Sequence, residues 1–211
     1  MELRREDRDL VGLTVLALLG TGPRHTYDMH RMMVDWHKDF VTGLPRSMYH
    51  AVNRLRRGGL IEPVASERPG PRPERTVYAL TDAGRQELRE RECRLLRTPD
   101  RDSTLFVAAL SFVGGLPPEE VAAALRDRAA ALERQSAEHD AALRATAGEL
   151  PRLLLLEAEY ERARAEADLA WVRTILDDLG SGRLTWSPEQ VTRQEGDAVP
   201  PPGEEGAATD D

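Results

Sequence analysis

The chain has 211 residues, of which 40% are hydrophobic, 31% charged and only 5% aromatic, a composition typical of a soluble, mainly helical protein. The net charge of −8 is unevenly distributed: residues 1–98 carry 18 Lys+Arg and 14 Asp+Glu, whereas residues 99–211 carry 11 and 23. The single cysteine excludes an internal disulfide, and no run approaches the roughly 20 apolar residues of a transmembrane helix, so we expect a cytoplasmic protein.

Two helices are predicted at the start of the chain. The first, at residues 10–19, is apolar on nearly every side, which indicates that it is buried. The second, at residues 27–36, has Thr26 as a suitable N-cap and three methionines that give it an apolar face. A turn is predicted after it.

A third helix is predicted at residues 45–57, because Pro45 suits a first helical turn and Gly58-Gly59 can end the helix. Its apolar residues share one face, which we expect to be buried: Met48, Ala51, Val52 and Leu55. The opposite side is polar and basic: it carries Arg46, Ser47, Tyr49, His50, Asn53, Arg54 and Arg57.

Two strands are predicted next, at residues 60–64 and 75–80, on either side of a turn rich in proline, glycine and arginine. Thr81 then caps a fourth helix that runs to residue 97. Three helices, a two-stranded hairpin and a further helix are the plan of a winged helix-turn-helix. We therefore predict this fold for residues 1–98.

The remaining sequence predicts an apolar helix at residues 105–113 and two long helices at residues 118–147 and 150–179. Long helices with narrow apolar stripes usually bury them against a partner. The stripe of the last helix consists of Leu153, Leu156, Tyr160, Ala163, Ala167, Ala170, Ile175 and Leu179.

The complete prediction is a mainly α protein with three parts. An N-terminal winged helix-turn-helix (residues 1–98) is followed by a C-terminal long-helix dimerisation domain (residues 99–191). The last segment, residues 192–211, is rich in proline, glycine and acidic residues, so we expect it to be a disordered acidic tail.

Two segments of the predicted winged domain have a distinctive spacing. The third helix contains Ser47-Met48-Tyr49-His50-Ala51-Val52-Asn53-Arg54-Leu55, and the second strand runs through Tyr78 into Leu80-Thr81 and then Gly84. Over about residues 8–92 this pattern resembles the PadR family of bacterial transcriptional regulators. The second half is similar to the subfamily with the longer C-terminal helical domain.

The resemblance implies a homodimer whose C-terminal helices cross between subunits and whose winged domains bind a near-palindromic DNA operator. We expect a repressor that releases DNA through a small-molecule effector, if it has one. The family commonly has glycine where this chain has Thr26, and the predicted wing is rich in proline. These two differences leave open which DNA sequence the protein recognises.

Double-stranded DNA is thus the expected partner, and the net charge of +4 over residues 1–98 suits it. The N-terminal end of such a third helix usually meets base edges in the major groove. The candidate contacts in this helix are Arg46, Ser47, Tyr49, His50, Asn53 and Arg54. A solvated polar face, with Tyr49 packed against the second helix, is the alternative.

Three further residues are candidates for contacts outside the third helix. Arg72 and Arg75 lie in the predicted wing, where they could reach a phosphate or the minor groove, or belong to a solvated hairpin. Tyr27 could bind a phosphate from the start of the second helix, or be buried between helices.

Other functions have weaker support. The spacing of His25, His30 and His37 does not suit one metal site on a helix face, and Cys93 lacks a second cysteine for a redox switch. No nucleotide-binding loop or nucleophile elbow indicates an enzyme, and we expect no cofactor or metal. The large aromatic residues of the second half could line an effector pocket, but packing explains each better: Phe106, Phe112, Tyr160, Trp171 and Trp186. A protein-interaction module that no longer binds DNA is the main alternative function.

Overall fold

The computed structural model describes residues 2–35, 46–67, 75–146 and 148–197. The α-helices are α1 (Leu10–Gly20), α2 (Thr26–Asp35), α3 (Arg46–Arg57), α4 (Asp82–Arg97), α5 (Ser103–Phe112), α6 (Pro118–Thr146), α7 (Leu156–Ser181) and α8 (Pro188–Asp197). The strands are β1 (Arg24–His25), β2 (Ile61–Glu67) and β3 (Arg75–Leu80). The predicted mainly α, winged-helix fold is confirmed.

The chain forms two compact units. The winged unit comprises Asp9–Glu90 and Ser187–Asp211, and the helical unit comprises Met1–Arg8 and Arg91–Trp186. The division therefore falls inside α4, and the domain limits at residues 98 and 191 stay predictions.

The core of the winged unit is built around α1. This helix is buried from Gly12 to Leu19, which its apolar sequence predicts. The methionines of α2, the apolar face of α3, Ile61 and Leu80 complete the core. Burial of each large apolar side chain contributes about 1.5–3 kcal/mol, so this cluster holds α3 firmly on α1 and α2.

The sheet of the winged unit has three strands in the order β1-β3-β2, all antiparallel. The hairpin of β2 and β3 is confirmed, with Ile61 opposite Leu80 and a bulge between Pro63 and Ala65. The pairing of β1 with β3, which sets Arg24 opposite Tyr78, is not predicted, because two residues are too few to show a period of two.

Backbone and side-chain hydrogen bonds fix the junction between α3 and the wing. Gly59, with φ +70°, ends α3: its N–H donates to Arg56 O at 3.0 Å, and Leu60 N–H donates to Leu55 O at 3.0 Å. Thr81 Oγ1 donates to Gly59 O at 2.7 Å and accepts from Gly84 N at 3.0 Å. The same threonine thus caps α4 and secures the end of α3.

Gly84 is required at this junction. A Cβ at residue 84 would lie 1.9 Å from Leu60 O, which is far inside van der Waals contact. The spacing from Leu80-Thr81 to Gly84 therefore has a packing reason: α4 begins directly against the backbone that follows α3.

In the helical unit, α6 and α7 pack together and are bridged by Arg162–Asp140 (3.3 Å) and Arg173–Glu133 (2.7 Å). The face of α7 that is buried here consists of Ala165, Leu169 and Val172. Of the predicted stripe, Leu153 precedes α7, and Ile175 and Leu179 are half-buried. The remaining members are exposed in the single chain: Leu156, Tyr160, Ala163, Ala167 and Ala170.

Arg128 of α6 is buried and holds the end of α4. Its Nη1 donates to the carbonyl oxygens of Leu95 (3.4 Å), Leu96 (3.4 Å) and Thr98 (3.1 Å), and the guanidinium lies 3.6 Å from the ring centroid of Phe106. Burial lowers the pKa of Arg128 to about 10, so the side chain keeps its charge at neutral pH.

Two ion pairs tie the N-terminal segment into the helical unit. Asp7 is fully buried and accepts from Arg94 Nε at 3.0 Å and from Arg4 N at 2.8 Å. Arg8 donates to both carboxylate oxygens of Asp100, at 3.3 and 2.5 Å. Burial opposes ionisation of Asp100, but the hydrogen bonds from Arg8 and from Asp102 N outweigh it and lower its pKa below the ordinary 3.8.

The end of the chain differs from the prediction of disorder over residues 192–211. Residues 192–197 are helical, as the last part of α8, because Pro188 suits the first helical position and Glu189 places an acidic group in the first turn. Residues 198–211 lie outside the described residues. None of the described helices is long and apolar enough to cross a lipid bilayer.

Candidate nucleic-acid interface

Helix α3 has one buried and one exposed side. Met48, Ala51, Val52 and Leu55 are buried, which confirms the predicted apolar face. Of the candidate DNA contacts, Ser47 is half-buried and the others are exposed: Arg46, Tyr49, His50, Asn53 and Arg54. Pro45 lies outside the described residues.

The exposed side of α3 is strongly basic. Residues 46–61 contain four arginines (Arg46, Arg54, Arg56 and Arg57) and no acidic residue. Tyr49 is 52% exposed between them, so it is not packed into the core. The helix thus presents a cationic surface with aromatic, imidazole and amide groups, which suits both the phosphates and the base edges of DNA.

Arg54 also has a partner within the protein. Its Nη2 forms an ion pair with Asp9 Oδ2, and Asp9 Oδ1 accepts from Gly12 N at 3.1 Å as the N-cap of α1. Asp9 is absent from the predicted site residues. The only signal for it in the sequence is an aspartate directly before an apolar helix, which indicates a cap but not a partner 45 residues away.

Tyr27 lies in the first turn of α2 and is 56% exposed. The alternative that it is buried between helices is therefore wrong. Thr26, predicted to precede the helix as its cap, is the first residue of α2 and is buried. The neighbouring Arg24 donates from Nη2 to Thr21 Oγ1 at 2.8 Å, which fixes the chain before α2.

The wing is described only in part. Arg75 is the first residue of β3 and pairs in register with Glu67 of β2. Arg72 lies outside the described residues. The contacts of both arginines with DNA stay predictions.

The structure also locates residues that were considered for a metal site or a redox switch. His25 is buried in β1 and His30 is half-buried in α2, while His37 lies outside the described residues. In the described ranges, no three His, Cys, Asp or Glu side chains gather as metal ligands would. Cys93 is half-buried in α4.

The large aromatic side chains of the helical unit serve its packing. Phe106 and Trp171 meet edge to face, with ring centroids 5.8 Å apart. Trp186 donates from Nε1 to Leu116 O at 2.9 Å. Tyr160, in contrast, is 67% exposed.

Comparison with known proteins supports the sequence resemblance. Residues 15–90 match the model of the Transcriptional regulator PadR-like family. No curated protein matches the chain.

Three solved structures are similar at low identity. Bacillus subtilis PadR in complex with operator DNA is 20% identical, with 80% of this chain and 98% of that chain covered and a TM-score of 0.39. The PadR-like transcriptional regulator BC1756 from Bacillus cereus is 18% identical (82% and 99% covered, TM-score 0.36). The protein smu.1604c from Streptococcus mutans UA159 is 19% identical (79% and 98% covered, TM-score 0.36).

Solved structures this distant in sequence do not decide the family. The family match rests on the sequence alone and covers α3, the hairpin and the start of α4. Over residues 15–90, the chain is similar to the PadR-like family of transcriptional regulators.

Proposed function

We propose that this protein is a transcriptional repressor that binds a near-palindromic operator as a homodimer, with one α3 helix in each half-site. The observation that carries the proposal is α3 itself. Four buried apolar residues fix its orientation, and its outward side carries Arg46, Arg56 and Arg57 in addition to Arg54, which pairs with Asp9. A helix of this kind fits the major groove of B-DNA.

The exposed residues of α3 divide by chemistry. Arg46 and Ser47 lie at its N-terminal end, where a recognition helix usually meets base edges. Arginine suits the acceptors of guanine, and asparagine suits the donor and acceptor of adenine, so we assign base contacts to Arg46 and Asn53. Tyr49 and His50 can add contacts along the groove, while Tyr27, Arg72 and Arg75 are proposed to hold phosphates.

The homodimer is supported by the exposed side of α7. Leu156 is 48% exposed, Tyr160 67% and Trp171 43%, and the alanines between them, Ala163 and Ala167, are exposed too. These residues recur at helical spacing and form one apolar stripe, which we call the α7 stripe. Exposed apolar stripes of this length are typical of surfaces that another chain covers.

The two α3 helices of the dimer are proposed to enter successive major grooves, roughly 34–36 Å apart. A small-molecule effector, if the protein has one, would act by changing this spacing through the C-terminal helices. We propose a cytoplasmic location and assign no catalytic role.

The proposal is tested by the mobility shift of DNA from upstream of the gene at two salt concentrations. We expect specific retention that weakens at higher salt. Arg46→Ala and Asn53→Ala should each weaken binding by about 1–3 kcal/mol, roughly 5- to 150-fold, because each removes a base contact. Arg134→Ala, which removes the same charge from an exposed position of α6, should leave binding unchanged.

Absence of specific, salt-sensitive retention would instead support the protein-interaction module. Equal losses in Arg46→Ala and Arg134→Ala would mean that only the net charge matters, and would contradict base reading by α3.

A further inference from the structure

Arg54 differs from the other arginines of α3 because a carboxylate holds it. Its Nη2 pairs with Asp9 Oδ2, although 45 residues separate the two in the sequence. Across the described ranges of the chain, Arg46, Arg56 and Arg57 form no such ion pair. The four cations of the helix are therefore not equivalent.

Asp9 is itself held in place by the backbone of α1. Its Oδ1 accepts from Gly12 N at 3.1 Å, so each carboxylate oxygen has a partner. A Cβ at residue 12 would lie 2.2 Å from Asp9 Oδ2, so only glycine at this position permits the observed orientation of the carboxylate. Because α1 is buried over nearly its whole length, its cap is a rigid support for Arg54.

The pair contributes little to stability, since the Arg54 side chain is 56% exposed and that of Asp9 26%. Its effect on the charge of α3 is larger. An arginine that is already neutralised by a carboxylate displaces no counterion from DNA and adds nothing to the sequence-independent part of the affinity.

We propose that Asp9 withholds Arg54 from the phosphate backbone and thereby limits the affinity of α3 for DNA of any sequence. The inference rests on the proposed operator binding and deepens it. A phosphate that displaced Asp9 would lie beside the freed carboxylate, and repulsion between the two anions opposes the exchange. Asp9 is thus a specificity-determining residue that does not touch DNA: it lowers non-specific binding and leaves base reading to the rest of α3.

The test is Asp9→Asn in the full-length protein. The asparagine amide oxygen can still cap α1, but the charge that holds Arg54 is removed. We expect binding to a random-sequence duplex to tighten about eightfold for each protomer at 0.1 M salt, the factor that one added phosphate contact supplies. The slope of log Kobs against log salt should steepen by about 0.9 for each protomer. A purely structural role for the pair would leave this slope unchanged.

The variant Arg54→Gln tests whether Asp9 acts by holding Arg54 or by repelling the DNA phosphates itself. The sequence predicts Arg54 as a DNA contact, but by this inference Asp9 keeps it from making one. Alone, R54Q should therefore change affinity and salt slope much less than Arg57→Gln, which removes an exposed arginine of α3 outside the ion pair. In the double variant, D9N with R54Q, the gain of D9N should disappear.

Three results would overturn the inference: an R54Q loss as large as that of R57Q, a D9N gain that persists in the double variant, or no gain in D9N. If D9N fails to fold, R54Q alone still decides, because an Arg54 that contacts phosphate would lose affinity. Wild-type protein that binds no DNA would overturn the proposed function, whereas wild-type binding without the D9N gain overturns this inference only.

Discussion

The two units of the chain differ in how far the apolar faces of their helices are buried within the chain. In the winged unit, α3 buries its apolar face in the same chain and exposes a cationic side. In the helical unit, α7 buries Ala165, Leu169 and Val172 but leaves the α7 stripe open to solvent. Among the described residues, the apolar face of α3 is covered within the chain, whereas the α7 stripe is exposed.

The largest expected effect comes from charging the α7 stripe. The double variant A163E/A167E changes two exposed alanines, so the single chain should fold while the dimer does not form. Loss of the second half-site should weaken operator binding by roughly a thousandfold or more. Light scattering and a mobility shift measure the two effects.

Ala130→Glu is the matched control, because Ala130 is exposed on a side of α6 that also carries Arg126, Asp127 and Arg134. It should leave mass and affinity unchanged. Dimers that persist in A163E/A167E would show that another surface joins the subunits. The exposed α7 stripe would then not be the dimer interface.

A close fit within the winged unit predicts a second, smaller effect. Gly84→Ala places a Cβ against Leu60 O and should destabilise the protein by about 3 kcal/mol, because the backbone at the end of α3 cannot move away. Gly180→Ala in the helical unit meets no atom within 4 Å and should be neutral or slightly stabilising. Denaturant unfolding of both variants gives the comparison, and equal stability of the two would contradict it.

Electrostatics in the helical unit should give the smallest effect. Because the pKa of Asp100 is lowered in the folded state, its ion pair with Arg8 contributes fully above the ordinary value of 3.8 and is lost as the pH falls through the folded pKa. Asp100→Asn should therefore lower the melting temperature by no more than about 2 °C at pH 6 and by less at pH 3. A difference in melting temperature between wild type and Asp100→Asn that grows towards low pH would contradict a lowered pKa of Asp100 in the folded state.

Much of the winged unit could be predicted from the sequence because its signals are local. The faces of α3 follow from apolar residues at helical spacing, and the hairpin follows from alternation around a turn. The strand β1 could not be predicted, since it depends on pairing with β3 rather than on its own two residues. The partner of Arg54 could not be predicted either, because Asp9 reaches it only through the packing of α1 on α3.

In the helical unit, periodicity identifies the helices but not their partners. Alanines occur on several sides of α7, and the pattern alone does not show which side faces α6 and which stays exposed. Ala165, Leu169 and Val172 are buried, whereas Tyr160 and Ala163 are not. That choice depends on how α6 and α7 fit, which no local pattern encodes.

The burial of Asp7 against Arg94 has a consequence for the order in which the protein folds during synthesis. Asp7 leaves the ribosome before residues 9–90, and its partner Arg94, 87 residues further on, follows about 4–17 s later at normal translation rates. Over that interval the carboxylate stays in water, since burial without a counter-charge is unfavourable. Residues 9–90 can fold meanwhile, so the segment around Asp7, although translated earlier, takes its final place after them.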